Sequence, residues 1–95
     1  MSDTPKIEEH SVPALVRGVR MHFDKTREEW VLLAPERMLK LDGIAVEILK
    51  RVDGTKDLGA IADDLCTTFE ADRSQVLNDC GAFLQQLVDR RMVAI

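Results

Sequence analysis

The chain has 95 residues, of which 45% are hydrophobic and 4% aromatic, and its formal net charge is −4. This composition is typical of one small globular domain with an aliphatic core, and it excludes a disordered chain. The acidic balance argues against a nucleic-acid-binding domain, which normally carries a basic face. No apolar run approaches the ~20 residues of a membrane-spanning helix, so we expect no membrane partner.

The first predicted region is a polar N-terminal segment. Met1–Val12 lacks apolar periodicity and is predicted to be a flexible tail or a linker, with the folded domain over residues 13–95. The first eleven residues do not have the apolar run of a signal peptide. We therefore expect a cytoplasmic protein.

Three short apolar segments predict three strands. Arg17–Phe23 alternates between apolar and polar residues, as a half-buried strand does. Glu29–Ala34 is apolar throughout, which favours the central position, and Arg37–Leu41 follows it after Pro35-Glu36. Connections this short predict antiparallel hairpins in chain order, which makes Arg37–Leu41 an edge strand.

Three helical segments follow, and Met92–Ile95 is a candidate for a short terminal strand. Each helix is preceded by a residue that can cap it, and the caps are Asp42, then Asp57 or Thr55, then Asp72. Gly54 ends the first helix, and Glu70-Ala71 is a tight break before the third. The positions assigned to the apolar faces are Ile44, Ala45, Ile48, Leu49 and Val52, then Leu58, Ile61, Ala62, Leu65, Cys66 and Phe69, then Val76, Leu77, Cys80, Phe83, Leu84, Leu87 and Val88.

The order of these elements predicts an α+β fold: a three-stranded antiparallel sheet followed by three helices, resembling a winged helix-turn-helix. This architecture serves DNA readers and peptide readers alike, so it does not decide the function. A winged-helix transcriptional regulator and a protein–protein adaptor both remain open. The exposed positions of the third helix are near neutral in charge, which disfavours the regulator because DNA binding depends on cations.

Residues that carry catalytic or metal chemistry do not converge in this sequence. His10 and His22 have no cysteine or carboxylate at ligand spacing, and Asp63-Asp64 are adjacent on a helix, so their side chains diverge by about 100°. Cys66 and Cys80 fall on apolar helix faces, which favours buried thiols over a disulfide. We predict no catalytic residues, no metal and no cofactor.

The edge strand Arg37–Leu41 is the candidate binding element. An unpaired edge offers free N–H and C=O groups to which a guest peptide can add as a further strand. Arg37 and Lys40 on this strand favour an acidic guest. The residues support equally well an edge that is covered by another part of the fold.

A family resemblance favours the peptide reader. The elements Trp30-Val31-Leu32-Leu33, Pro35-Glu36, Leu39-Lys40-Leu41 and Asp53-Gly54, with the helical apolar positions after them, resemble the pyrroloquinoline quinone (PQQ) biosynthesis protein D family. The resemblance covers nearly the whole chain beyond residue 15. The LL-x-PE and DG elements are its most specific parts.

The resemblance implies a peptide chaperone, a recognition element for ribosomal precursor peptides. Its partners would be the precursor peptide and a radical-SAM enzyme that crosslinks a Glu and a Tyr within the peptide. Related domains bind the peptide between the third strand and the third helix. Carried onto this sequence, the peptide-binding residues are Arg37, Met38, Leu39, Lys40 and Leu41 on the strand and Val76, Cys80, Phe83 and Leu87 on the helix. We expect a monomer or a weak dimer that binds no nucleic acid.

Overall fold

A computed structural model of the chain describes residues 4–95, so the part of the tail prediction that falls on residues 1–3 lies outside the described residues. The elements in chain order are β1 (Ala14–Leu15), β2 (Arg20–Asp24), β3 (Glu29–Ala34), β4 (Arg37–Leu41), α1 (Gly43–Lys50), α2 (Leu58–Phe69), α3 (Arg73–Asp89) and β5 (Val93–Ala94). This is the predicted α+β architecture.

The three-stranded sheet has the order β2-β3-β4, and both of its strand pairs are antiparallel. The prediction that Glu29–Ala34 is central and Arg37–Leu41 an edge is therefore confirmed. The first strand begins later than predicted, because Gly18 has φ +90° and the Val19 amide bonds to the Val16 carbonyl in a turn. The predicted terminal strand is present as β5, and it pairs with β1, a two-residue strand that the sequence did not reveal.

An aspartate side chain caps each of the three helices at its N-terminus. Asp42, Asp57 and Asp72 accept hydrogen bonds from the backbone N–H three residues ahead, over 2.8, 2.8 and 3.1 Å respectively. Each cap satisfies a donor that the helix itself leaves unpaired. The cap of α2 is thus Asp57 and not Thr55. Glu70 ends α2 before α3 begins, because its φ of 51° is in the left-handed region.

The core lies between the inner face of the sheet and the three helices. Leu32, Ile61 and Leu84 are fully buried there, and Ile48 is 2% exposed. Two predicted core residues are not in it, since Ile44 is 71% exposed and Phe69 is 54% exposed.

The reason is the position of these two residues in short helices. Ile44 lies on the margin of the apolar face of α1, where Val46 is buried instead, at 5% exposure. Phe69 has the helical spacing of the buried residues of α2, but it is the last residue of that helix and lies beyond the end of the core. Both side chains are left on one end of the molecule.

The described part of the N-terminal segment lies against α2 and α3. The amides of Leu58 and Gly59 donate to the carbonyls of Ser11 and Glu9, at 2.9 and 2.8 Å. The Ile7 amide donates to Gln85 Oε1 at 2.7 Å, and the Ile7 side chain packs on the core. The flexibility of this segment stays a prediction.

Two isoleucines of α1 test this placement of the core, because they undergo the same substitution in the same helix. Ile48→Ala should lower the free energy of unfolding by about 2–5 kcal/mol, since it leaves a cavity. Ile44→Ala should change the free energy by less than about 0.5 kcal/mol, since the side chain is on the surface. Urea denaturation measures both, and equal losses for the two variants would contradict this position of α1.

Candidate functional site

The candidate site begins at the free edge of β4. Within residues 4–95, β4 pairs with β3 on one side and with no strand on the other. The register places Arg37 opposite Ala34, Leu39 opposite Leu32, and Leu41 opposite Trp30. The edge that the sequence predicts to be available to a guest strand is therefore not covered by another strand of the described chain.

The turn between β3 and β4 determines which backbone groups of β4 face outward. Pro35 and Glu36 form a two-residue loop, with Glu36 at φ 60°. A two-residue hairpin loop closes on a hydrogen-bonded pair, and hydrogen-bonded pairs alternate along an antiparallel ladder. Arg37, Leu39 and Leu41 thus bond to β3. The N–H and C=O groups of Met38 and Lys40 point to the free edge.

An open groove lies beside the end of β4. It has a volume of about 740 Å³ and is lined by Asp42, Gly43, Ile44, Glu47, Leu65, Phe69, Ala71, Gln75, Val76 and Asp79. These residues come from the start of α1, the end of α2 and the first half of α3. The exposed side chains of Ile44 and Phe69 make one end of it apolar.

At the opposite end, the start of β4 is tied to the end of α3. Arg37 Nη2 donates a 2.9 Å hydrogen bond to the Arg90 carbonyl. We infer that a space between β4 and α3 runs from this hydrogen bond at Arg37 toward the apolar groove at Ile44. A strand added to β4 would lie along this space, with alternate side chains directed toward α3.

The strand residues predicted to bind peptide fall into two groups. Met38, which is 48% exposed, and Lys40, also exposed, lie on the outer face of the sheet. Leu39 and Leu41 are half-buried and pack against the core from the inner face. The backbone of the strand, more than its side chains, is what the edge offers.

The helix residues predicted to bind peptide also separate. Val76 and Phe83 are half-buried, so part of each side chain is exposed at the surface of α3. Cys80 and Leu87 are each 2% exposed within the core cluster. Cys80 and Leu87 anchor α3 in the core, and a peptide could contact them only if the core opened. Val76 and Phe83 are the helix residues that a peptide can reach.

Sequence reasoning missed Ile44 and Phe69 as surface residues of the site, because both match the apolar spacing of their helices. A signal for Phe69 was present, since it comes directly before the break at Glu70-Ala71. Ile44 lies in the first turn of α1, two residues after the cap at Asp42. The sequence carries no comparable mark for it.

The two ends of the site differ in charge. Arg37 and Lys40 are on the strand, while Asp42, Glu47 and Asp79 surround the apolar end. A hydrogen bond from Arg51 lowers the pKa of Glu47, with the charge of Lys50 acting in the same direction, so this carboxylate is ionised at neutral pH. Asp79 is held by Gln75 Nε2 at 3.1 and 3.2 Å. The site thus presents cations along β4 and anions around the groove.

Both cysteines are free thiols, and burial, followed by the charge of Asp79, raises the pKa of Cys80 to about 11, which keeps this thiol protonated. Residues 4–95 contain no cluster of His, Cys, Asp and Glu that could hold a metal ion. In the same part of the chain, no helix is long and apolar enough to cross a membrane.

Comparison with known sequences finds a family model that matches most of the chain. The protein-family model that matches residues 29–93 is described as coenzyme PQQ synthesis protein D (PqqD). A relative from Rhodopseudomonas palustris strain BisB5 is called PqqA binding protein. It is 49% identical over 84 residues, which cover 88% of this chain and 82% of the relative.

Two solved structures share the fold. One is the solution structure of the PqqD truncation of Methylobacterium extorquens PqqCD, described as a functional and stand-alone recognition element for ribosomally synthesized and post-translationally modified peptides. It has a TM-score of 0.85 and 38% identity, and the match covers 99% of this chain and 100% of that one. The other is TbiB1 in complex with the TbiA(beta) leader peptide, with a TM-score of 0.72 over 84% of this chain and 93% of that one. At 23% identity, this second likeness shows the fold alone.

Proline substitutions test the assignment of outward and inward amides on β4. Leu39→Pro should destabilise the domain by about 3 kcal/mol or more, because it removes a donor to β3. Met38→Pro should cost much less, because that amide faces the free edge, where proline is tolerated. Thermal unfolding followed by circular dichroism measures the difference. The reverse order of stabilities would show that the amides assigned to β3 and those assigned to the free edge are interchanged.

Proposed function

The chain belongs to the coenzyme PQQ synthesis protein D family, and from this premise we propose that it is a peptide chaperone of PQQ biosynthesis. It binds the precursor peptide as an added strand on the free edge of β4. It then presents this peptide to a radical-SAM enzyme that crosslinks a Glu and a Tyr within it. The relative from R. palustris, whose name describes PqqA binding, supports the choice of guest.

The observation that carries this proposal is the free edge of β4 beside the groove. Two residues on it, Met38 and Lys40, offer both an N–H and a C=O to a guest. A guest backbone can satisfy all four groups whatever its side chains are. The same strand would lay alternate side chains against Val76, Phe83 and the exposed Ile44.

The energies of these contacts fit a guest that is bound and then released. Each backbone hydrogen bond contributes about 0.5–1.5 kcal/mol net, since water competes for the same groups. Apolar burial in the groove adds roughly 25 cal/mol per Å² of buried area. Ordering a flexible peptide opposes both terms. We therefore expect an affinity that permits transfer of the peptide to a second protein.

The proposed role is non-catalytic and cytoplasmic. Cys80 is buried with a raised pKa, and the carboxylates near the groove are engaged in a helix cap or in contacts with Arg51 and Gln75. The purified chain should therefore leave the precursor peptide unmodified unless an enzyme is added. Mass spectrometry of the peptide after incubation with the chain alone measures this, and a crosslinked product would refute the non-catalytic role.

Two substitutions at Lys40 test the role of the backbone. Lys40→Pro removes one of the two outward donors and leaves the carbonyl of the guest unpaired, so it should weaken binding of the precursor peptide by about tenfold while the domain stays folded. Lys40→Ala keeps the donor and removes a solvated charge, which contributes roughly 0–1 kcal/mol. Isothermal titration calorimetry with the synthetic precursor peptide measures both affinities.

Circular dichroism supplies the control that each variant is folded. Equal affinities of Lys40→Pro and the unmodified chain would contradict strand addition at this edge. Phe83→Ala is a less specific probe, because the half-buried ring also packs on the core and its removal would cost stability.

A further inference from the structure

The outer face of the three-stranded sheet is a second surface that carries exposed side chains. The inner face carries Met21, Leu32 and Leu39, which pack against the core. Because side chains alternate along a strand, the neighbours of these residues point outward. The outward rows of the register are Arg20, Leu33 and Met38, then His22, Val31 and Lys40, then Asp24 and Glu29.

The charges on this face are not neutralised within the described chain. The cations of this face are Arg20 and Lys40, and neither has a carboxylate within ion-pair distance in residues 4–95. The two carboxylates of the last row are already engaged. Asp24 accepts from the amides of the β2–β3 turn, at 3.0 and 3.3 Å, and Glu29 is 3.9 Å from Arg27. A protein of net charge −4 thus keeps cations on this part of the sheet.

Apolar side chains run between these polar groups. Val31, at the centre of this face, is 1% exposed. Leu33 is half-buried beside it, and Met38 is 48% exposed. An apolar centre with polar neighbours is the usual composition of a protein interface.

This outer face is continuous with the proposed peptide site. Met38 and Lys40 belong both to the outer face and to the free edge of β4. A guest strand added at that edge would extend the same face by one strand. Every second side chain of the guest would then point outward, beside Met38 and Lys40. A protein docked on the outer face would contact the chaperone and the guest together.

We propose that the outer face of β2-β3-β4 docks the enzyme that modifies the bound peptide, through an acidic enzyme surface with an apolar centre. This proposal rests on the proposed function. Unpaired cations attract such a surface and accelerate association, and the attraction weakens as salt screens it. Docking on this side leaves the groove and α3 to the peptide, so both partners are held at the same time.

Arg20 is the position that separates enzyme docking from peptide binding. It lies on β2, two strands away from β4, which is roughly 10 Å from the peptide edge. Arg20→Glu reverses its charge, and Arg20→Gln removes the charge alone. Lys6→Glu makes the same charge reversal at an exposed residue of the N-terminal segment, beside α3, and is the matched control.

Biolayer interferometry measures docking of the radical-SAM enzyme of PQQ biosynthesis on this chain. The enzyme is reconstituted anaerobically, and the precursor peptide is present at saturating concentration. Arg20→Glu should weaken enzyme binding by about tenfold or more, Arg20→Gln by a smaller factor, and Lys6→Glu by less than about twofold. Affinity for the peptide alone should stay within about twofold in all three variants. Raising the NaCl concentration should weaken binding of the unmodified chain and affect Arg20→Glu much less.

The outcomes distinguish this proposal from the proposed function. If the unmodified chain binds no precursor peptide, the proposed function fails, and this inference fails with it. If peptide binds normally and Arg20→Glu binds the enzyme as tightly as Lys6→Glu does, the outer face is not the docking surface and the proposed function stands. Salt-sensitive binding of a random nucleic acid that Arg20→Glu abolishes would also overturn the proposal.

Discussion

The two-residue turn at Pro35-Glu36 is the constraint on which the rest of the account depends. It closes the β3–β4 hairpin on a hydrogen-bonded pair and thereby commits Arg37, Leu39 and Leu41 to β3. The backbone groups of Met38 and Lys40 are left for a partner. A shift of the register by one residue would turn Leu39 and Leu41 out of the core and would reverse which amides face a guest. The apolar inner face of the sheet prevents that shift.

Helix α3 completes the site because it is fixed on several sides. Leu84 and Leu87 hold it in the core, and a hydrogen bond from Arg37 to the Arg90 carbonyl holds its end beside β4. On its outer side, Gln85 accepts from the Ile7 amide and donates to the Pro5 carbonyl at 3.0 Å. A helix held in this way offers a guest strand a preformed wall, so less ordering is needed on binding.

The sequence predicted the parts of this structure that strong local patterns encode. The three strands of the sheet, the aspartate caps and the break at Glu70-Ala71 depend on nearby residues, and the sequence predicts them apart from the start of the first strand and the choice between Asp57 and Thr55. The predicted end of the first helix at Gly54 is wrong, because α1 ends at Lys50. The short pairing of β1 with β5 joins the two ends of the domain, and two-residue strands carry too little pattern to reveal it. Ile44 and Phe69 were assigned to the core because helical spacing says which face a residue shares but not where the core ends. Those same two residues form the apolar end of the groove, so the sequence indicated the strand of the candidate site and missed its pocket.

Amide hydrogen exchange on β4, followed by NMR with and without the precursor peptide, tests the central claim most directly. In the free protein, the amides of Leu39 and Leu41 should exchange slowly, because they bond to β3, and those of Met38 and Lys40 should exchange fast. Saturating peptide should slow exchange at Met38 and Lys40 and leave the other two nearly unchanged. If the peptide instead protects amides of β2 and leaves Met38 and Lys40 exchanging as fast as before, strand addition at this edge is wrong.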